Sequence, residues 1–273
     1  MDYNKLVERA SAFLEECPGN YISKEEAARE DLVGMRIYDV PLFGAASADD
    51  PMFRELKTSG IVGPDVFLPT DWLKEAKSVV SFFLPFTERV RNSNRGQERR
   101  ASDEWLHARI EGQEMLNQFG RYICGILEEE GFQAVYPAAD QRFHMIAPYA
   151  SNWSERHTAH ICGLGTFSLS KGLITEKGMA GRFGSVITSA VLPATERKYS
   201  SPFEYCIMCG KCEKNCPAHA IDTKKGVING KDQVACEAYV SGSKGTNGPS
   251  GKIRYGCGKC QVGVPCESRI PGI

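Results

Sequence analysis

Residues 206–216 read CIMCGKCEKNC and place Cys206, Cys209, Cys212 and Cys216 inside one short turn of chain. Of the eleven cysteines, only Cys17, Cys124 and Cys162 come before this stretch; the other eight lie between residues 206 and 266. The first residues, MDYNKLVERASAFLEEC, are charged and lack the apolar segment and small-residue cleavage site of a secretory leader. The longest strongly apolar run, SVVSFFLPF, is too short to cross a bilayer. The expectation is therefore a cytoplasmic chain with no membrane contact. There, crowded thiols serve as metal ligands and not as a disulfide framework.

The spacing is C-x2-C-x2-C-x3-C-P, the bacterial ferredoxin run. Three cysteines at two-residue intervals let a tight loop present three thiolates to one 4Fe–4S cubane. The fourth, followed by Pro217, turns away toward a neighbouring cluster. A second group supplies Cys236, Cys257, Cys260 and Cys266. Cluster A then takes Cys206, Cys209, Cys212 and Cys266; cluster B takes Cys257, Cys260, Cys236 and the crossing Cys216. The distal motif is C-x2-C-x5-C with Pro265 before its last cysteine, so a longer loop must deliver Cys266. Structural zinc also uses C-x2-C pairs, but it has no use for the third closely spaced cysteine. Lys211 and Lys214, between the ligands, either dock a donor, raise a cluster's potential or are simply solvated.

A two-cluster ferredoxin does not need the 195 residues that come first. Those residues alternate helix and strand patterns. An amphipathic helix spans 3–16, a buried strand 78–86, a long helix 103–130, a strand over FQAVYP and another over 182–193. Asn152 with Glu155 has the spacing of a capping box for a helix running to CGLG at 162–165. This predicts an α/β (α+β) domain over 1–195 and a small metal-held domain over 196–273. Net charge is −1 and 25% of residues are charged, so composition alone advertises no polyanionic partner.

The stretches SERHTAHICGLGTFSLSKGLIT (154–175), GSVIT (184–188), the cysteine run and YGCGKCQ (255–261) occur in an order that resembles the epoxyqueuosine reductase family, whose relatives are the reductive dehalogenases. WLKEAKSVVSFFLPF (72–86) looks like that family's early strand. The resemblance implies a nitroreductase-like cobalamin-binding domain followed by a ferredoxin domain with two 4Fe–4S clusters, which feed electrons to cobalt. By position, Gly163, Gly165, Thr166, Ser168, Gly184 and Ser185 would lie against the corrinoid, small residues letting backbone approach a flat ring. It also implies a low-potential donor such as ferredoxin or flavodoxin, and a substrate that is either borne on tRNA or a small molecule.

Two departures stand out. Where the family has an aspartate proposed as proton donor, six residues before Glu155, this chain has Tyr149. A phenol can donate a proton if a cation eases it, and Arg142, Arg156 and Arg182 are the expected neighbours. The chain also ends seven residues after Cys266, without the helical-repeat extension that contacts tRNA in many family members.

Three smaller expectations follow. RVRNSNRGQERR (89–100) reads as a mobile surface loop, with phosphate binding as the alternative. His157 and His160 read as helix-surface or core residues, and Cys162 as an inert buried thiol. No Walker loop and no G-x-G-x-x-G after a strand is present, so ATP and NAD have no support. Two other functions compete with a cobalamin reductase: an electron-transfer protein that reduces a partner such as a corrinoid protein, and a flavin-binding variant of the same fold.

Overall fold

The computed structural model describes residues 1–96, 99–245 and 249–272. Its centre is the strand the sequence marks most strongly. β2 (Ser78–Pro85) is buried at all eight positions, as an apolar, β-branched and aromatic run should be inside a sheet. β1 (Leu42–Ser47) pairs antiparallel with it, Leu42 opposite Phe83. β8 (Gly181–Thr188) pairs antiparallel on the other side, Ser78 opposite Thr188. β3 (Ala134–Val135) closes the edge against β8, giving the order β1-β2-β8-β3. The strand expected over FQAVYP is thus two residues long, and the one expected to reach Pro193 stops at Thr188. Beyond it, Leu192 N–H turns back onto Ser78 Oγ at 2.9 Å.

The helices in chain order are α1 (Tyr3–Glu16), α2 (Pro51–Glu55), α3 (Pro69–Trp72), α4 (Glu88–Ser93), α5 (Asp103–Glu129), α6 (Glu155–Ile161), α7 (Lys211–Lys214), α8 (Gly226–Asn229) and α9 (Gln233–Gly242). α5 starts where Ser102 Oγ accepts Trp105 N–H at 3.2 Å. Its apolar stripe, Met115, Leu116, Phe119, Ile123, Ile126 and Leu127, is buried against the sheet, with Phe119 edge-on to Phe82 at 5.0 Å. α1 lies outside α5 and stacks Phe13 on Tyr122 at 3.9 Å.

Two local expectations are corrected. The Asn152–Glu155 capping box does not form. Ser154 is the N-cap of α6 and makes no side-chain cap; buried Asn152 instead accepts His144 N–H and donates to Arg142 O. Nor is 89–100 a free loop over its described part. Thr87 caps α4, Arg91 and Arg95 both reach the carboxylate of Glu267, and Asn94 donates to Cys257 O at 2.9 Å. Gln97 and Glu98 lie outside the described residues.

After residue 196, apolar packing is thin and organised around sulfur. Cys212 and Cys216 are buried with Leu169, Ile174, Met179, Ala220, Ile221 and Val264, and Cys206, Cys236, Cys260 and Cys266 pack against them. This tail is tied to the body by buried ionic contacts. Arg254, 1% exposed, reaches Glu111 on α5 at 2.8 Å and Glu26 at 2.8 Å.

Candidate functional site

The same four residues, C-G-K-C, occur at 209–212 and 257–260. At both, the glycine adopts φ 70° and ψ 2°, left-handed backbone that favours glycine. Each then opens a short helical turn, α7 after Gly210 and the 3-10 turn Lys259–Gln261 after Gly258. The turn folds the two cysteines of each pair back toward one cavity.

Two cavities result. One is lined by Cys206, Cys209, Cys212 and Cys266. The other is lined by Cys216, Cys236, Cys257 and Cys260. The eight thiols expected to ligate are all present and divide four and four, with Cys216 crossing from the first run and Cys266 from the second. Delivery of Cys266 through its longer loop is visible in detail. Met179 N–H donates to Cys266 O at 3.0 Å, and the next residue, Glu267, is held by Arg91, Arg95 and Gly263 N–H.

The donor set suits a polynuclear group. In each cavity four thiols surround a space. Burial pushes Cys257 up to about 12, with Cys260, Cys216 and Cys236 adding repulsion against the backbone N–H of Lys259. Cys266 is pushed up to about 12 by burial and then by Cys212 and Cys206. Cys212 rises to about 12 for the same reasons, burial first. Thiols this close lose their protons together only to something bringing strong positive charge, as iron does. Backbone donors already point at the sulfurs: Leu169 N–H at Cys206 Sγ, 3.4 Å, and Ala220 N–H at Cys216 Sγ, 3.3 Å.

The six positions expected to line a corrinoid are engaged internally. Gly163 follows α6 with φ 83°, and its amide donates to His160 O. A Cβ on Gly165 would stand 1.9 Å from Ile174 O across the β6–β7 hairpin (Gly165–Phe167 and Leu173–Thr175). Thr166 Oγ1 accepts Tyr205 N–H at 2.9 Å and so anchors the start of the cysteine run. Ser168 bonds Ser170 and lines the Cys206 cavity. A Cβ on Gly184 would stand 2.5 Å from the Phe82 ring. Ser185 donates to Glu155 Oε2 at 2.6 Å and accepts Trp153 Nε1–H at 2.9 Å. Each of the six is committed to a contact within the protein.

Tyr149 stands at the tip of the β4–β5 hairpin (Met145–Ala147 and Ala150–Ser151), 47% exposed and with φ 66°. Its hydroxyl has no hydrogen-bond partner among the described residues. The three arginines expected beside it are occupied: Arg142 with Asp140 and the carbonyls of Asp71 and Trp72, Arg156 with Lys171 O, Arg182 with Arg109 O. His157 and His160 serve structure, bonding Ser154 Oγ and Gly165 O and packing on Phe167. Cys162 is buried, its thiol toward Val79 O.

The residue passed over is Glu155. Burial pushes its carboxyl up to about 8 against the single opposing hydrogen bond from Ser185. Oε1 is sealed from solvent without a partner. Burial thus favours the protonated form of this group. In the sequence it shows only the spacing of a cap, three residues after Asn152.

Comparison with known proteins bears on the first cysteine run and on the fold. The family model for a 4Fe-4S binding domain matches residues 202–222. No curated protein matches the sequence. Among solved structures, epoxyqueuosine reductase from Bacillus subtilis, captured with its catalytic loop swung out of the active site, is 18% identical with a TM-score of 0.51, covering 97% of this chain and 64% of that one. An epoxyqueuosine reductase bound to a tRNA-Tyr stem loop is 17% identical with a TM-score of 0.53, covering 97% and 64%. The catabolic reductive dehalogenase NpRdhA with 3-bromo-4-hydroxybenzoic acid is 14% identical with a TM-score of 0.53, covering 98% and 37%. The chain therefore has the fold shared by these proteins and spans just under two thirds of the length of the reductases.

Proposed function

We propose that this chain is an iron–sulfur oxidoreductase whose tail holds two 4Fe–4S clusters and relays electrons into the α/β body to reduce a substrate. The observation that carries this reading is the sorting of eight cysteines into two cavities of four, each completed by a cysteine from the other run. A bound 4Fe–4S cluster supplies one-electron storage and transfer. The chain's own part is to hold the thiols, point backbone N–H groups at sulfur and shield the cavities with apolar side chains. A reducing, cytoplasmic setting suits eight ligating thiols, and a ferredoxin or flavodoxin suits the donor role.

The fold likeness favours cobalamin as the final carrier, with epoxyqueuosine in tRNA or a small molecule as substrate; Tyr149, which replaces the family's aspartate, is the candidate proton donor. A second reading, an electron-transfer protein serving a docked partner, is favoured by the internal engagement of Gly163, Gly165, Thr166, Ser168, Gly184 and Ser185.

Iron and sulfide analysis of anaerobically prepared protein tests the core of the proposal. About eight irons per chain are expected; zinc in their place overturns it. Desalting after incubation with cobalamin separates the two readings, since retained cobalt supports the reductase. Flavin absorption in its stead indicates the flavin variant. Tyr149→Phe should leave the fold unchanged and abolish turnover if the phenol is the donor.

A further inference from the structure

The two cavities differ in charge. The wall around Cys206, Cys209, Cys212 and Cys266 contains no charged side chain; Leu169, Ile174, Met179 and Val264 are among its apolar residues. The wall around Cys216, Cys236, Cys257 and Cys260 contains Arg109, Arg182 and Lys231, and no acid. Arg109 and Arg182 are half-buried and adjacent, Arg182 Nη2 donating to Arg109 O at 2.8 Å. Arg109 lies over the Tyr255 ring at 4.7 Å, and its Nε is sealed from solvent with no partner. Among the described residues neither arginine forms an ion pair with a carboxylate. Two neighbouring guanidiniums without a counter-ion are unfavourable in a partly dry wall. An iron–sulfur cluster ligated by four thiolates is an anion, and its charge grows by one on reduction. Cations beside it therefore stabilise the reduced form and raise its potential.

We propose that Arg109 and Arg182, with Lys231, are the counter-charge of the second cavity and make its cluster the more oxidising of the two. This rests on the two-cluster reading. Each cavity receives an N–H···S contact, Leu169 at Cys206 and Ala220 at Cys216, so these do not offset the asymmetry. The polarity agrees with position. Cys209 is exposed, flanked by exposed Ile207 and Met208, so the low-potential cluster sits where an external donor can reach it. The arginine side abuts α5 and β8, the body of the molecule. Electrons enter at Cys209 and leave past Arg109 and Arg182.

The test is a potentiometric titration of the clusters followed by electron paramagnetic resonance, on native protein and on Arg109→Gln/Arg182→Gln and Arg109→Lys/Arg182→Lys variants. Two resolved potentials are expected in the native protein. The glutamine variant should shift the higher one downward and leave the lower in place; the lysine variant should restore it. An unmoved higher potential in a glutamine variant that retains its iron overturns the inference. Native protein lacking about eight irons overturns the two-cluster reading instead. Should the double variant lose iron, Arg109→Gln alone, expected to give a smaller shift of the same sign, decides the matter.

Discussion

Arg254 and Glu111, 143 residues apart, meet in the interior: Arg254 Nη2 and Nε lie 2.8 and 3.1 Å from Glu111 Oε1, while Glu111 Oε2 takes His107 Nδ1 at 3.0 Å. Arg254 sits three residues before Cys257, so this contact places the second C-G-K-C turn against α5. Arg254→Met leaves a buried carboxylate half-paired and should cost about 3–5 kcal/mol. Thermal unfolding would register the loss. Iron content should fall from about eight toward four per chain as Cys257 loses its position.

Glu267 plays the matching part for the first cavity. It is 4% exposed in its side chain and joins Arg91, Arg95 and the Gly263 amide just after Cys266. Glu267→Ala strands two arginines and should release Cys266. One of the two cluster signals in the electron paramagnetic resonance spectrum should vanish, with a stability loss of about 3 kcal/mol.

The twin glycines share dihedrals but not surroundings. A methyl group at Gly258 would stand 2.0 Å from the Trp105 ring, whereas at Gly210 the nearest atom is the Thr223 methyl at 3.4 Å. Gly210→Ala should cost only the left-handed strain, about 1–2 kcal/mol. Gly258→Ala should cost clearly more, because Trp105 on α5 must move or the turn must open. Chemical denaturation of the two variants side by side checks the ranking.

Two buried acids act oppositely on the pH dependence of stability. Burial alone would raise Glu111, but hydrogen bonds from His107 and Arg254 outweigh it and hold the carboxyl at about 2. Its contribution is present above the ordinary Glu pKa and fades as pH falls toward 2. Glu155, raised to about 8, binds its proton in the folded state where the unfolded chain has released it. Stability from this group therefore declines between about pH 4.5 and 8, by on the order of a few kcal/mol. Glu155→Gln should flatten that decline, measured as melting temperature against pH.

Much of this was legible in the chain itself. The strand 78–85 and the stripe of α5 are long periodic signals that tertiary context did not override. The gathering of the eight thiols into two cavities was legible because the close C-x2-C spacing folds each pair into one turn. What stayed hidden depends on residues distant in sequence. RVRNSNRGQERR is polar enough for a free loop, and only the position of Glu267 shows why Arg91 and Arg95 are there. Asn152 and Glu155 had the spacing of a cap, yet each found a better partner elsewhere, Asn152 in the 142–144 backbone and Glu155 in Ser185. The reason Gly165 and Gly184 are small likewise lies elsewhere in the chain: Ile174 O and the Phe82 ring press on them.

The exchange of Cys216 and Cys266 between the two runs interlocks them like links in a chain. Neither run completes a cluster alone, so filling one cavity also fixes a cysteine of the other run in place. Assembly of the native chain should be cooperative: at partial iron loading, complete and empty molecules should outnumber those with one site filled, and a half-filled population should appear only where one run is damaged.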